Sequence, residues 1–134
     1  MRKVLRLVCA MLVIMLLGSM CVFAAPALPL SRKADIDKAL DSKIPTILMI
    51  TTDDCKTCED MKQYFPVLAE QYKGKINFLI SDSNRFTDVR VAYSIRVVPT
   101  TLFFDEYGDM IRSQMGPIEF AAMNKWMRDL GFVK

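Results

Sequence analysis

Three apolar, β-branched runs constrain this chain more than any other feature: "TILMITT" (46–52), "KINFLIS" (75–81) and "VVPTTLFF" (97–104). None alternates apolar with polar residues, the pattern of strands covered on both faces. Helical patterns lie between them. After the first run, Cys58, Met61, Phe65, Leu68 and Tyr72 recur at steps of three and four and so share one helix face. Pro66 inside this helix is expected to kink or split it near Phe65, and Gly74 to end it. "TDVRVAYSI" (87–95) reads as a short helix ending near Ser94.

The ends complete the plan. "SRKADIDKALDSK" (31–43) places Ala34, Ile36, Ala39 and Leu40 on one face of an amphipathic helix, with Ser31 as its cap and Pro45 closing it. Pro99 stands at the start of the third strand, where a missing N–H is best tolerated. The turn "DEYGD" sends "MIRSQM" (110–115) back as an antiparallel fourth strand. Gly116-Pro117 opens a last helix whose inward stripe is Phe120, Met123, Trp126, Met127 and Leu130. The order αβαβαββα predicts a three-layer α/β domain with a central mixed sheet of about four strands.

Residues 1–24 read as separable from that domain. Arg2, Lys3 and Arg6 precede an uncharged stretch from Leu7 to Leu30, and Val22-Phe23-Ala24 suits cleavage after Ala24, so a secretory signal peptide is expected. The stretch is also long enough to remain as an N-terminal membrane tether through residues 7–24. Lipidation at Cys21 is disfavoured by the bulky Met20 before it. Residues 25–31 read as a linker and 32–134 as the folded domain. All 15 acidic residues but only 15 of the 18 basic ones follow residue 24, so the domain carries no net charge and lacks the basic footprint of a nucleic-acid binder.

Chemistry concentrates in "DDCKTCEDM" (53–61). Cys9 and Cys21 lie in the leader, so Cys55 and Cys58 are the only cysteines of the exported part, and the chain has no histidine. Zinc in a structural site takes four ligands, usually Cys and His, so a zinc centre within one chain is excluded. Copper(I) accepts soft thiolates and thioethers and could use Cys55, Cys58 and Met61, although Met61 lies on the core stripe. Met123, Met127 and Trp126 read as packing, and Arg96 as a solvated strand edge or a substrate contact.

"CKTC" directly after a buried strand, followed by "AYSIRVVPTTLFFDEYG" (92–108) and a last amphipathic helix, resembles the thioredoxin superfamily over residues 32–134. The spacing of 44 residues from Cys55 to Pro99 belongs to that resemblance, and the run Cys55, Cys58, Met61 is similar to the superfamily's exported and membrane-tethered members. The resemblance implies a thioredoxin fold and a thiol-disulfide oxidoreductase without a cofactor other than a redox-active Cys55–Cys58 disulfide. It also implies Cys55 as nucleophile, Cys58 as resolving thiol, and a cis Pro99 with Val98 and Thr100 forming a docking edge for protein thiol or disulfide substrates. The setting it implies is the periplasm or another extracytoplasmic space, with a membrane or periplasmic electron donor. A non-catalytic binding module on the same fold is the remaining alternative. Two departures stand out: Asp54 replaces the tryptophan usual before the first cysteine, and Met49 stands near the place of a buried acid that assists proton transfer.

The two-residue gap suits this chemistry. Only a thiolate attacks a disulfide, and a cysteine where a helix begins faces unpaired N–H groups that stabilise the anion. Lys56 would add to that effect, while Asp53, Asp54, Glu59 and Asp60 would oppose it.

Overall fold

The computed structural model describes Met1 and residues 25–134; the expected signal peptide or tether falls outside the described residues. Helix α1 spans Lys33–Leu40, strand β1 Thr46–Thr51, a one-turn 3-10 helix Lys56–Cys58, and α2 Glu59–Gln71. Strand β2 (Asn77–Asp82), helix α3 (Thr87–Ala92), strands β3 (Thr100–Phe104) and β4 (Met110–Met115), and helix α4 (Phe120–Asp129) follow. The sheet order is β2-β1-β3-β4. β1 runs parallel to β2 and antiparallel to β3, and β3 pairs antiparallel with β4.

The absence of alternation in β1 has a direct structural counterpart, since all six of its residues are buried. Ile47 and Met49, with Phe78, Ile80 and Phe103, pack beneath Met61, Phe65 and Leu68 of α2 and Met123 and Met127 of α4. On the other face, Leu48, Ile50, Leu102 and Phe104 meet Ile36 of α1 and Val89 of α3. The four apolar side chains of β1 thus alternate between two cores, giving a three-layer α/β/α arrangement.

Local expectations differ from the structure at five places. Helix α2 runs unbroken through Pro66, which is buried in line with Phe65 and Leu68, so tertiary packing holds the segment helical despite one lost backbone bond. Ser31 does not cap α1: its N–H is given to the Ile80 carbonyl (2.7 Å), and the cap is Arg32, whose own N–H is accepted by Asp35 (2.9 Å). Leu28 and Leu30 pack on the core and Leu30 bridges to Ile80, so the segment read as a linker is docked on β2. Helix α4 starts at Phe120, not at Gly116-Pro117, because Gly116 (φ +89°) still belongs to the β3–β4 end, where its N–H reaches the Pro99 carbonyl. Ile118 is buried before the helix starts, and Phe120, placed in the inward stripe by its spacing, is 47% exposed, edge-on to Tyr64.

The β3–β4 turn places a glycine where the backbone requires one. Gly108 has φ +84°, and a Cβ there would meet the Leu40 carbonyl oxygen at 3.3 Å. Asp105 accepts from the N–H groups of Tyr107 (2.9 Å) and Asp109 (3.0 Å), closing the turn on itself.

Candidate active site

The site begins where β1 ends. Past Thr51 the chain leaves the sheet, and the Cys55 N–H turns back to the Thr52 carbonyl (3.4 Å). Cys55 is then the cap of the 3-10 turn Lys56–Cys58, which feeds into α2. The two cysteines are joined in a disulfide (S–S 2.02 Å, Cα–Cα 5.3 Å). Cys55 keeps 8% of its surface open, and Cys58, continuing into the α2 face that carries Met61 and Phe65, has none. The pair therefore has an outer and an inner member, although the outer one is more sheltered than the polar run around it suggests.

Side chains that the linear motif does not reveal organise its surroundings. Arg85, just past β2, donates from Nη2 (3.0 Å) and Nε (3.2 Å) to one carboxylate oxygen of Asp53. Lys62, one turn into α2, donates to the Thr52 carbonyl (3.4 Å) and to Glu59 (3.2 Å). The Thr57 hydroxyl lies 3.5 Å from the Cys55 sulfur. Two of the four acids in the motif are thus matched by cations, which weakens their opposition to a thiolate. Lys56 and Asp54, singled out from the sequence, are exposed and form no ion pair among the described residues.

Val98–Pro99 is a cis peptide bond. The Pro99 carbonyl is occupied by the Gly116 N–H (2.8 Å), and the Thr100 hydroxyl donates to the Val97 carbonyl (2.7 Å), so the segment is braced from both sides. The pairing of β1 with β3 ends at Ile50 and Thr100, and just beyond it Thr52 and Val98 both line one cleft of about 100 Å³. Helix α3 delivers the far wall of that cleft. Its end is a Schellman closure: Ser94 has φ +52°, the Ile95 N–H reaches the Arg90 carbonyl (2.9 Å), and the Ser94 N–H reaches that of Val91 (3.1 Å). Arg90 and Arg96 both border the cleft.

The other sequence candidates take structural roles. Met123 and Met127 are fully buried in the core, and Trp126 packs edge-on to Phe103 with Arg112 over its ring at 3.8 Å. Met61 is fully buried, and its sulfur accepts the Ile118 N–H (3.4 Å), which occupies the thioether that a copper site would need. No group of three or more His, Cys, Asp or Glu side chains is gathered for a metal ion among the described residues. Met49 is fully buried beside Met61. In register with Met49 is Thr101, whose buried hydroxyl has no hydrogen-bond partner among the described residues.

Comparison with known proteins agrees with this geometry. The family described as a thioredoxin-like domain matches residues 32–131. Over 87 residues the chain is 28% identical to the thiol:disulfide interchange protein TxlA homolog of Synechocystis sp., covering 63% of this chain and 48% of that protein. It is 27% identical over 77 residues to thioredoxin C-2 of Corynebacterium nephridii, covering 58% of this chain and 70% of that one. An uncharacterised Schizosaccharomyces pombe protein is 33% identical over 79 residues, a match spanning 58% of this chain and 11% of its relative. The match thus reaches about half the length of the Synechocystis relative and a small part of the yeast one.

Proposed function

The chain belongs to the thioredoxin-like family, and from that premise we propose that it is an extracytoplasmic thiol-disulfide oxidoreductase that reduces protein disulfides or passes electrons along a relay. One observation carries the reading most: Cys55 and Cys58 form a disulfide in which Cys55 keeps 8% of its surface open and Cys58, the cap of α2, keeps none. In the reduced form, the Cys55 thiolate attacks one sulfur of a substrate disulfide and the other leaves as a thiol. Cys58 then loses its proton and attacks the Cys55 sulfur of the mixed disulfide, releasing the second substrate thiol. Two electrons and two protons pass to the substrate, and the Cys55–Cys58 disulfide remains. A dithiol protein donor at the membrane or in the same compartment restores the starting state by the reverse exchange.

Docking at Val98, Pro99 and Thr100 is part of the proposal. The Val98 amide and carbonyl engage in none of the described hydrogen bonds, which leaves them for an incoming extended peptide. Met115, paired with Thr100, is 67% exposed and offers an apolar surface beside that edge. Export rests on the basic start and uncharged stretch of the leader, with cleavage after Ala24 or retention as a tether. No helix among the described residues is long and apolar enough to cross a membrane.

Trapping tests the proposal. A Cys58→Ser protein, reduced and then offered a disulfide-bonded protein, is expected to accumulate a mixed disulfide at Cys55. A folded Cys58→Ser protein that captures nothing, while the unmodified protein binds one equivalent of copper(I) and loses it on Met61→Leu, would replace this reading with the metal-carrier one.

A further inference from the structure

We infer that the cleft beside the dithiol is a carboxylate subsite, and that the preferred substrates are acidic peptides carrying an Asp or Glu close to the disulfide cysteine. This deepens the oxidoreductase reading and rests on it for the chemistry, but not for the binding.

The argument starts from charge. Of the residues bordering the cleft, Arg90 and Arg96 are cationic and none is acidic; Thr52, Ser83 and Asn84 add neutral hydrogen-bonding groups, and Val98 forms the lip on the docking edge. Neither arginine forms an ion pair with a described residue. Within the motif Asp53 is held by Arg85, and Asp54, exposed and without an ion pair among the described residues, does not border the cleft. Asp82, at the end of β2, is buried and turned onto the N–H groups of Asn84 (2.8 Å) and Arg85 (3.0 Å). Asp88, on α3, accepts the Val89 N–H (2.9 Å). Two arginines without an ion-pair partner among the described residues therefore border one small polar recess, and a guanidinium pairs with a carboxylate through two parallel hydrogen bonds.

Size and position select the occupant. A cleft of about 100 Å³ is small beside the roughly 300–1,000 Å³ of a typical small-molecule site and suits a single side chain. The cleft joins Thr52, three residues ahead of Cys55, to Val98 on the docking edge. A peptide strand lying along Val98 with its cysteine at Cys55 thus has a neighbouring side chain over the arginines. The domain after residue 24 has no formal net charge, so a preference for acidic partners cannot come from its overall field and must be local.

The test uses two peptides that each carry one cysteine in a disulfide with thiopyridine, a neutral reporter, flanked by Asp-Glu in one and Lys-Lys in the other. The reduced protein is expected to cleave the acidic peptide about tenfold faster at low salt, with the ratio shrinking as ionic strength rises. In Arg90→Gln/Arg96→Gln the ratio should fall below about twofold, while neutral hydroxyethyl disulfide is still reduced. A ratio near one in the unmodified protein, or a ratio undiminished in the double variant, overturns the inference. Fluorescence anisotropy with the same peptides, serine replacing cysteine, reads binding without redox chemistry. If hydroxyethyl disulfide is not reduced, the oxidoreductase reading falls, and acidic-peptide binding that is lost in the double variant still upholds the subsite.

Discussion

Arg85 and Asp53, 32 residues apart, meet with both Nη2 and Nε of the guanidinium on one carboxylate oxygen, at 3.0 and 3.2 Å. The pair ties the loop ahead of the dithiol to the segment that follows β2, and it neutralises an acid two residues from Cys55. Both partners are exposed, so its direct worth to folding is small, about 0–1 kcal/mol. Its effect on the thiolate is the more telling readout. Arg85→Gln leaves the Asp53 charge uncompensated and disfavours the anion at Cys55, so alkylation of Cys55 at neutral pH should slow by about two- to threefold. Asp53→Asn should speed it by a similar factor. Both effects should fade in high salt, as iodoacetamide kinetics on the reduced protein will show.

Met61→Leu separates packing from metal binding. The thioether is buried and accepts the Ile118 N–H; leucine conserves volume but not that acceptor. We expect a loss of about 1 kcal/mol in urea unfolding. Disulfide reduction should stay within about twofold of the unmodified protein, since the variant leaves both cysteines in place.

Tyr64 links stability to alkaline pH. Burial pushes its phenol above the usual tyrosine range, and its hydroxyl donates to the Ile118 carbonyl (2.7 Å). Burial also raises Tyr93, partly countered by Lys33. A phenol with a raised folded-state value favours the native state while it is protonated. That contribution is whole below the unfolded value near pH 10 and drains away as pH climbs through the folded one. Chemical denaturation across this window should show stability falling above about pH 10. Tyr64→Phe should lower stability by about 1 kcal/mol at neutral pH through the lost hydrogen bond. It should also make the alkaline decline shallower, leaving the Tyr93 part.

Thr101 carries a buried hydroxyl with no partner among the described residues, in register with Met49. Replacing it by valine keeps the shape and removes the unsatisfied group. Thr101→Val is expected to be neutral or to stabilise by up to about 1 kcal/mol in thermal or urea unfolding.

The three-layer fold was legible because β1, β2 and β3 are each a compact apolar run, and the helices between them repeat at helical steps. The Cys55–Cys58 disulfide and the cis bond at Pro99 were legible through the family resemblance. Arg85 and Lys62 were not, since a single sequence contains no signal that a cation distant in the chain, or one turn into a helix, will fold onto a particular acid or carbonyl. The start of α4 was misplaced for a related reason. Gly116-Pro117 is a valid helix opening by local rules, but the Gly116 N–H is claimed by Pro99 and Ile118 by the core around Met61. Pro66 failed as a helix breaker in the same way, because burial of its neighbours outweighs the single bond it removes.

Residue-resolved alkylation of the reduced protein is the most direct test of the central claim that Cys55 is an activated nucleophile set in front of a sealed partner. Near pH 7, where an unperturbed thiol is mostly protonated, we predict that Cys55 reacts at least tenfold faster than a free cysteine peptide. Cys58 should react slowly until the protein is unfolded. A Cys55 no faster than the peptide, or a Cys58 that reacts alongside it in the native state, would contradict the account.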